Sequence, residues 1–242
     1  MIVAKLYDPH YGGASGTTAA VFHAEVQYMR ESAAYRHAAV HHVQHLAPHY
    51  YGSWSTCIES EEWPVPSRDV RLILTGYVNG KDMTCLSPRQ FSQMERKAIM
   101  RQILTAESRF YACDLCHNDL FPRNVLITAP SARLGSSGPP RIVIIDFGLA
   151  TIGRSSADVY SADDPYLLSE RYISPILRWW RSLGETNIWG RWVDWDWNQW
   201  LTETFAADKP DITPEMLKWL HPHERNHSFF LEVLERNRVC SW

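Results

Sequence analysis

No stretch of this sequence approaches the roughly 20 consecutive apolar residues that a membrane span requires, and Met1-Ile2-Val3-Ala4-Lys5 is too short an apolar run for a signal peptide. No membrane partner is expected, and the chain reads as intracellular and cytoplasmic. Cysteine is scarce and odd in number, five in 242 residues. A chain of this length buries enough surface to need no covalent staples, so no disulfide framework is expected. An excess of one charge is also lacking. The net charge is −3 with 21% charged residues, which gives no electrostatic reason for a nucleic-acid partner. What remains is ordinary for a globule: 45% apolar residues, and length enough for one large domain or two small lobes. Two residue types are plentiful, 11 Trp, most of them after Leu177, and 11 His. Nothing in the composition speaks to oligomeric state.

The chemistry is concentrated in two short runs. His117-Asn118-Asp119-Leu120-Phe121-Pro122-Arg123-Asn124 leads into Val125-Leu126-Ile127, a strand signal, and Arg141-Ile142-Val143-Ile144-Ile145 is a second strand that delivers Asp146-Phe147-Gly148 at its end. If those strands pair as a hairpin, Asn124 and Asp146 reach neighbouring strand ends, where their oxygens suit a hard cation. Asp119, five residues before Asn124, sits on the loop entering the first strand, in reach of a hydroxyl proton.

His117-x-Asp119-Leu120-x-x-x-Asn124 followed by Asp146-Phe147-Gly148 resembles the catalytic loop and metal-binding motif of the protein-kinase-like phosphotransferases. The resemblance implies an α+β, two-lobed protein-kinase-like fold, with a truncated N-lobe over residues 1–77 and a mainly helical C-lobe over 78–242. It implies transfer of the ATP γ-phosphoryl group to a hydroxyl of a protein or a small molecule. Asp119 would be the catalytic base, and Asn124 and Asp146 would hold Mg²⁺. Ile2-Val3-Ala4-Lys5-Leu6 is similar to the family strand whose lysine holds the ATP phosphates, making Lys5 the candidate. Glu31, in Glu31-Ser32-Ala33-Ala34-Tyr35, is similar to the acid that pairs with that lysine in fungal kinase-like proteins, and Glu25 is the alternative. Val70-Arg71-Leu72-Ile73-Leu74-Thr75 is a strand, and Gly76-Tyr77-Val78 stands where the family hinge meets adenine through its backbone. Phe121 replaces a lysine found near the γ-phosphate in Ser/Thr kinases, and Arg123 is the residue placed to reach that phosphate instead.

The sequence departs from the family in having no glycine-rich strand pair before Lys5; Gly12-Gly13-Ala14-Ser15-Gly16 follows the lysine and reads as a connection. After Asp146-Phe147-Gly148 come Asp158-Val159-Tyr160-Ser161 and Pro165, with no Ala-Pro-Glu. A nucleotide-binding scaffold that keeps the fold without turnover is the alternative these departures leave open.

The rest of the chain supplies helices. Residues 18–46 are expected to be helical, with Val21, Phe22, Val26, Met29, Ala33 and Val40 on the apolar face, and a long helix capped by Ser87-Pro88 is expected to reach Tyr111, with Phe91, Met94, Ile99, Ile103, Ala106 and Phe110 buried. His37, His41, His45 and His49, with His42 beside them, form an i,i+4 stripe. A polar face is its plainer reading, zinc or nickel binding the sharper one. Cys113-x-x-Cys116-His117 spells the attachment signature of c-type haem, but His117 already belongs to the loop motif, so two small residues at a helix end are expected. Residues 130–140 form a Gly, Ser and Pro-rich connection. Residues 175–180 and 192–200 read as aromatic helices, expected to be core rather than a base-stacking surface.

Overall fold

The computed structural model describes residues 1–9, 18–59, 67–128, 140–154, 168–180, 188–220 and 222–239. The connections expected at 12–16 and 130–139, and the segment containing 158–161 and Pro165, lie outside them. Strand β1 (Ile2–Tyr7) is followed by helix α1 (Thr18–Val40), then by β2 (Tyr50–Glu59) and β3 (Ser67–Gly76). These three strands make one antiparallel sheet in the order β1-β3-β2, with Lys5 opposite Ile73 and Trp54 opposite Leu72. The sequence reading had no strand at residues 50–59. Trp54, Thr56 and Ile58 alternate with Ser53, Ser55 and Cys57 at the period of a strand, but the register shift between Tyr50 and Gly52 interrupts that period at its start.

α1 packs its other face than the one expected. Phe22, Met29 and Val40 are exposed, whereas Ala20, Glu31, Ser32, Ala34, Tyr35 and Ala38 are buried. The reason is tertiary: the inner face is chosen by Glu31, which finds its partners beneath the helix, and not by the count of apolar residues. The helix also ends at Val40 rather than near 46. His42 turns the chain with φ 59°, and only one further turn, Gln44–Leu46, is helical.

Residues 77–79 then lead from the first sheet to a second, made of β4 (Gly80–Asp82), β6 (Val125–Thr128) and β7 (Arg141–Ile144) in the order β4-β6-β7. At Gly80 the backbones approach so closely that an added Cβ would lie 2.9 Å from the Ile127 carbonyl oxygen, so a side chain there would push the strands apart. Between β4 and β6 run helix α2 (Gln93–Ala112) and β5 (Leu115–Cys116). α2 starts later than expected. Ser92 is its cap, accepting from the Glu95 amide while Glu95 reaches back to the Ser92 amide; Ser87-Pro88 opens a separate short turn, Pro88–Gln90. Ile99, Ile103, Ala106 and Phe110 are buried as expected, but Met94, in the first turn, points to solvent.

The C-terminal part carries β8 (Thr151–Ile152), α3 (Pro175–Arg178), α4 (Trp197–Thr204) and α5 (Ser228–Val239). Its tryptophans are core: Trp189, Trp192, Trp197, Trp200 and Trp219 are all buried. Residues 192–196 are not helical, because Asp196 caps α4 by accepting from the Gln199 amide. α3 is tied to α2 by Arg178, which binds both oxygens of Glu107, while the Trp179 indole donates to the same carboxylate at 3.1 Å. Mixed helix and antiparallel sheet make this an α+β chain, as the motifs implied.

Candidate active site

The two motif loops are clamped at both ends. β5 leads into residues 117–124 and β6 leads out; β7 leads into 145–150 and β8 leads out. β6 pairs with β7, placing Val125 opposite Ile144, and β5 pairs with β8, placing Cys116 opposite Thr151. Cross-bonds fill the space between the pairs. The Ile145 amide donates to the Asn124 carbonyl at 2.9 Å, and the Asn118 side-chain amide donates to the Leu149 carbonyl at 3.2 Å and to the Thr151 hydroxyl at 3.0 Å. Asn118 and Asp146 both adopt positive φ, 60° and 64°, a conformation that Asn and Asp tolerate better than other residues with a Cβ.

His117 organises the first loop from within. It is buried, and its Nε2 lies 3.0 Å from the Ile145 carbonyl, which can only accept, so Nε2 carries the proton. Nδ1 is then free to accept from the Asp119 amide at 3.3 Å. Burial pushes the His117 pKa below its ordinary value, consistent with a neutral ring doing both jobs. The sign follows: below about pH 6.5 the unfolded chain binds a proton here that the folded chain refuses, so stability falls as pH drops toward the folded-state value. Urea unfolding at pH 7.5 and 5.5 should show that loss in the wild type and a smaller one in His117→Asn; equal losses would remove His117 as its source.

Asp119 and Asn124 lock each other. The Asn124 amide nitrogen donates to the Asp119 carbonyl at 2.7 Å and to its carboxylate at 2.8 Å. The carboxamide oxygen of Asn124 is thereby turned away from Asp119. The other Asp119 oxygen takes the Arg123 guanidinium at 2.6 Å, and that guanidinium lies over the Phe121 ring, 4.5 Å from its centroid. Arg123 is thus engaged at an exposed position, where such a pair contributes roughly 0–1 kcal/mol.

Lys5 joins three segments that are remote in sequence. Its ammonium lies 2.6 Å from Glu31 on α1 and 2.7 Å from Asp146 Oδ1 after β7. Glu25, the alternative partner, instead faces Arg71 at 3.0 Å. Burial works to lower the Lys5 pKa, but the charges and hydrogen bonds of Glu31 and Asp146 outweigh it and hold the ammonium above its ordinary value. For Asp146, burial works upward, and the Lys5 bond and charge, helped by the Gly148 amide, bring the carboxyl below the usual range. Tyr7 was missed by the sequence reading. Its phenol donates to the same Glu31 oxygen that Lys5 meets, and burial and then Glu31 keep the phenol protonated. The available signal was positional: two residues from Lys5 on a strand is the same face.

Phe147 points the opposite way from Asp146. It is buried, with ring centroids 5.3 Å from Tyr35, 5.4 Å from Phe110 and 4.8 Å from His117. Asp146 is left with its side chain 45% exposed. Among the described residues, nothing bonds its second oxygen. Tyr77, the hinge candidate, donates its amide to the Met1 carbonyl at 3.1 Å. Its ring is exposed.

A cation here would be held by few protein atoms. No group of three or more His, Cys, Asp or Glu converges on one point among the described residues. The donors in place are the Asn124 carboxamide oxygen and the unbonded Asp146 oxygen, both hard, which fits an ion that keeps water and phosphate in its shell, as Mg²⁺ does. Along the histidine stripe, the His37 and His41 rings lie side by side, their centroids 4.3 Å apart. His37 bonds the Cys113 carbonyl at 2.6 Å, His45 meets Arg109 at 3.3 Å, and His49 packs on Tyr51. Cys113 and Cys116 are buried thiols, the first donating to the Phe110 carbonyl at 3.1 Å and the second directed at the Gly153 carbonyl.

A family model described as a protein kinase domain matches residues 19–195. No curated protein matches the chain significantly.

Proposed function

The chain belongs to the protein kinase domain family, and on that premise we propose that it transfers the γ-phosphoryl group of ATP to a hydroxyl of a protein or small molecule. The observation that carries this reading is the Lys5 bridge between Glu31 and Asp146. Lys5 precedes the matched residues, and Glu31 and Asp146 lie within them. An ammonium shared by two carboxylates is oriented and kept charged, ready to take phosphate oxygens as a third anion. Asn124 and Asp146 would hold Mg²⁺, whose charge would offset that of the phosphates. Asp119, fixed by the Asn124 amide and the Arg123 guanidinium, would accept the acceptor's proton. Arg123 would remain at the edge, able to exchange Asp119 for phosphate. A cytoplasmic setting is part of this proposal, and no helix among the described residues is long and apolar enough to cross a membrane.

Binding tests the reading first. Mg²⁺ with ATP at a hundredfold excess over the dissociation constant should stabilise the fold by about 2.7 kcal/mol, and Asp146→Asn should remove the dependence on magnesium. A thermal melt unmoved by any adenine or guanine nucleotide would end the ATP reading. Binding without transfer to either peptides or a panel of amino-sugars and small alcohols would favour the scaffold.

A further inference from the structure

The outward side of α1 is apolar where a surface helix is normally polar. Phe22 is 70% exposed, Met29 58% and Val40 72%. At about 100° per residue, Phe22, Val26, Met29, Ala33, Arg36 and Val40 fall within an arc of about 80°. Their spacing alternates four and three, the seam along which two helices pack side by side. Among the described residues the core lies on the opposite face of α1, through Glu31, Ala34, Tyr35 and Ala38.

The seam fits a reversed copy of itself. Turned about residue 31, Phe22 meets Val40, Met29 meets Ala33, and Val26 meets Arg36, so large residues oppose small ones at the two apolar pairs. The only cation in the seam, Arg36, is exposed, and its guanidinium makes a long 3.4 Å bond to the Ser32 hydroxyl. In the reversed pairing it comes beside Glu25, one residue from Val26, whose side chain is 40% exposed on the Arg71 side of the helix. A foreign helix would have to bring an apolar seam and an acid for Arg36; α1 contains both. We propose that α1 is the two-fold interface of a homodimer, two copies packing antiparallel along this seam. A contact confined to one helix pair lies below the roughly 1,600 Å² of a standard stable interface. The dimer is therefore weak, and it dissociates on dilution through the micromolar range.

Sedimentation equilibrium of the full chain tests this without reference to catalysis, so its outcome is independent of the phosphoryl-transfer reading. The wild type should pass from monomer to dimer as concentration rises to about 0.5 mM. Met29→Glu and Phe22→Glu, each counted twice across a two-fold axis, should weaken the dimer by about 100-fold or more. Met94→Glu, on the exposed side of α2, should leave it unchanged. Circular dichroism reports whether each variant keeps its fold, and Val40→Glu, in the last turn of α1, carries the test if either of the first two does not. A wild type monomeric throughout overturns the proposal. So does a dimer that survives the α1 substitutions or is abolished equally by Met94→Glu.

Discussion

Asp119→Asn is expected to lower phosphoryl transfer by roughly 10²–10⁴-fold, the usual worth of a positioned general base. The substitution keeps size and removes charge. It also turns an NH₂ group toward one of two donors, the Arg123 guanidinium at 2.6 Å or the Asn124 amide at 2.8 Å, and leaves an oxygen to accept from the other. Asn124 should nevertheless hold its place, because its amide also donates to the Asp119 main-chain carbonyl at 2.7 Å, which the substitution leaves intact. Nucleotide-induced stabilisation should therefore persist while turnover falls. The measurement is incorporation of radiolabel from ATP into a peptide library and, separately, into small alcohols, beside a thermal melt of the same sample. An Asp119→Asn protein that turns over at the wild-type rate would show that the proton goes elsewhere.

Phe147→Ala should destabilise the fold by about 3–5 kcal/mol, a large part of the 5–15 kcal/mol typical of a domain. The ring is 1% exposed and touches one aromatic residue from each of three places: Tyr35 of α1, Phe110 of α2 and His117 of the first motif loop. Removing it leaves a cavity where those elements meet, and frees the backbone that aims Asp146 at Lys5. Urea unfolding gives the stability change, and Phe147→Leu, which fills part of the space, should cost less. A loss for the alanine variant under about 1 kcal/mol would be too small for a ring packed on three sides.

Much of the site was legible because its parts announce themselves locally. Asp119, Asn124 and Asp146 sit beside apolar runs that can only be strands, and β6 and β7 form where those runs lie. Lys5 with Glu31 was legible only through resemblance: neither strand nor helix pattern links residues 26 apart, and the choice between Glu31 and Glu25 was made by which face of α1 the sheet covers. That same choice misled the reading of the helix, since the buried face holds Glu31 and Ser32 while Phe22 and Met29 lie outside. Boundaries failed for a different reason. Ser87-Pro88 and Ser92 with Glu95 are both valid helix starts in sequence, and only the packing of α2 against β5 and β7 selects the second. Strand β2 is harder to read because the register shift between Tyr50 and Gly52 leaves only the short alternation from Ser53 to Ile58.

The left-handed backbone at Asp146 has a consequence for which residues can stand there. At φ 64° most side chains would cost roughly 1–2 kcal/mol through the clash of Cβ with the following carbonyl. Glycine would relieve that clash but leave Lys5 with one carboxylate and remove the exposed oxygen. Asparagine would keep the backbone and an oxygen but not the charge. Glutamate would keep the charge but lose the short side chain that accepts from the amide two residues on, at Gly148. Conformation and charge thus filter the same position independently, and of the twenty residues aspartate alone passes both.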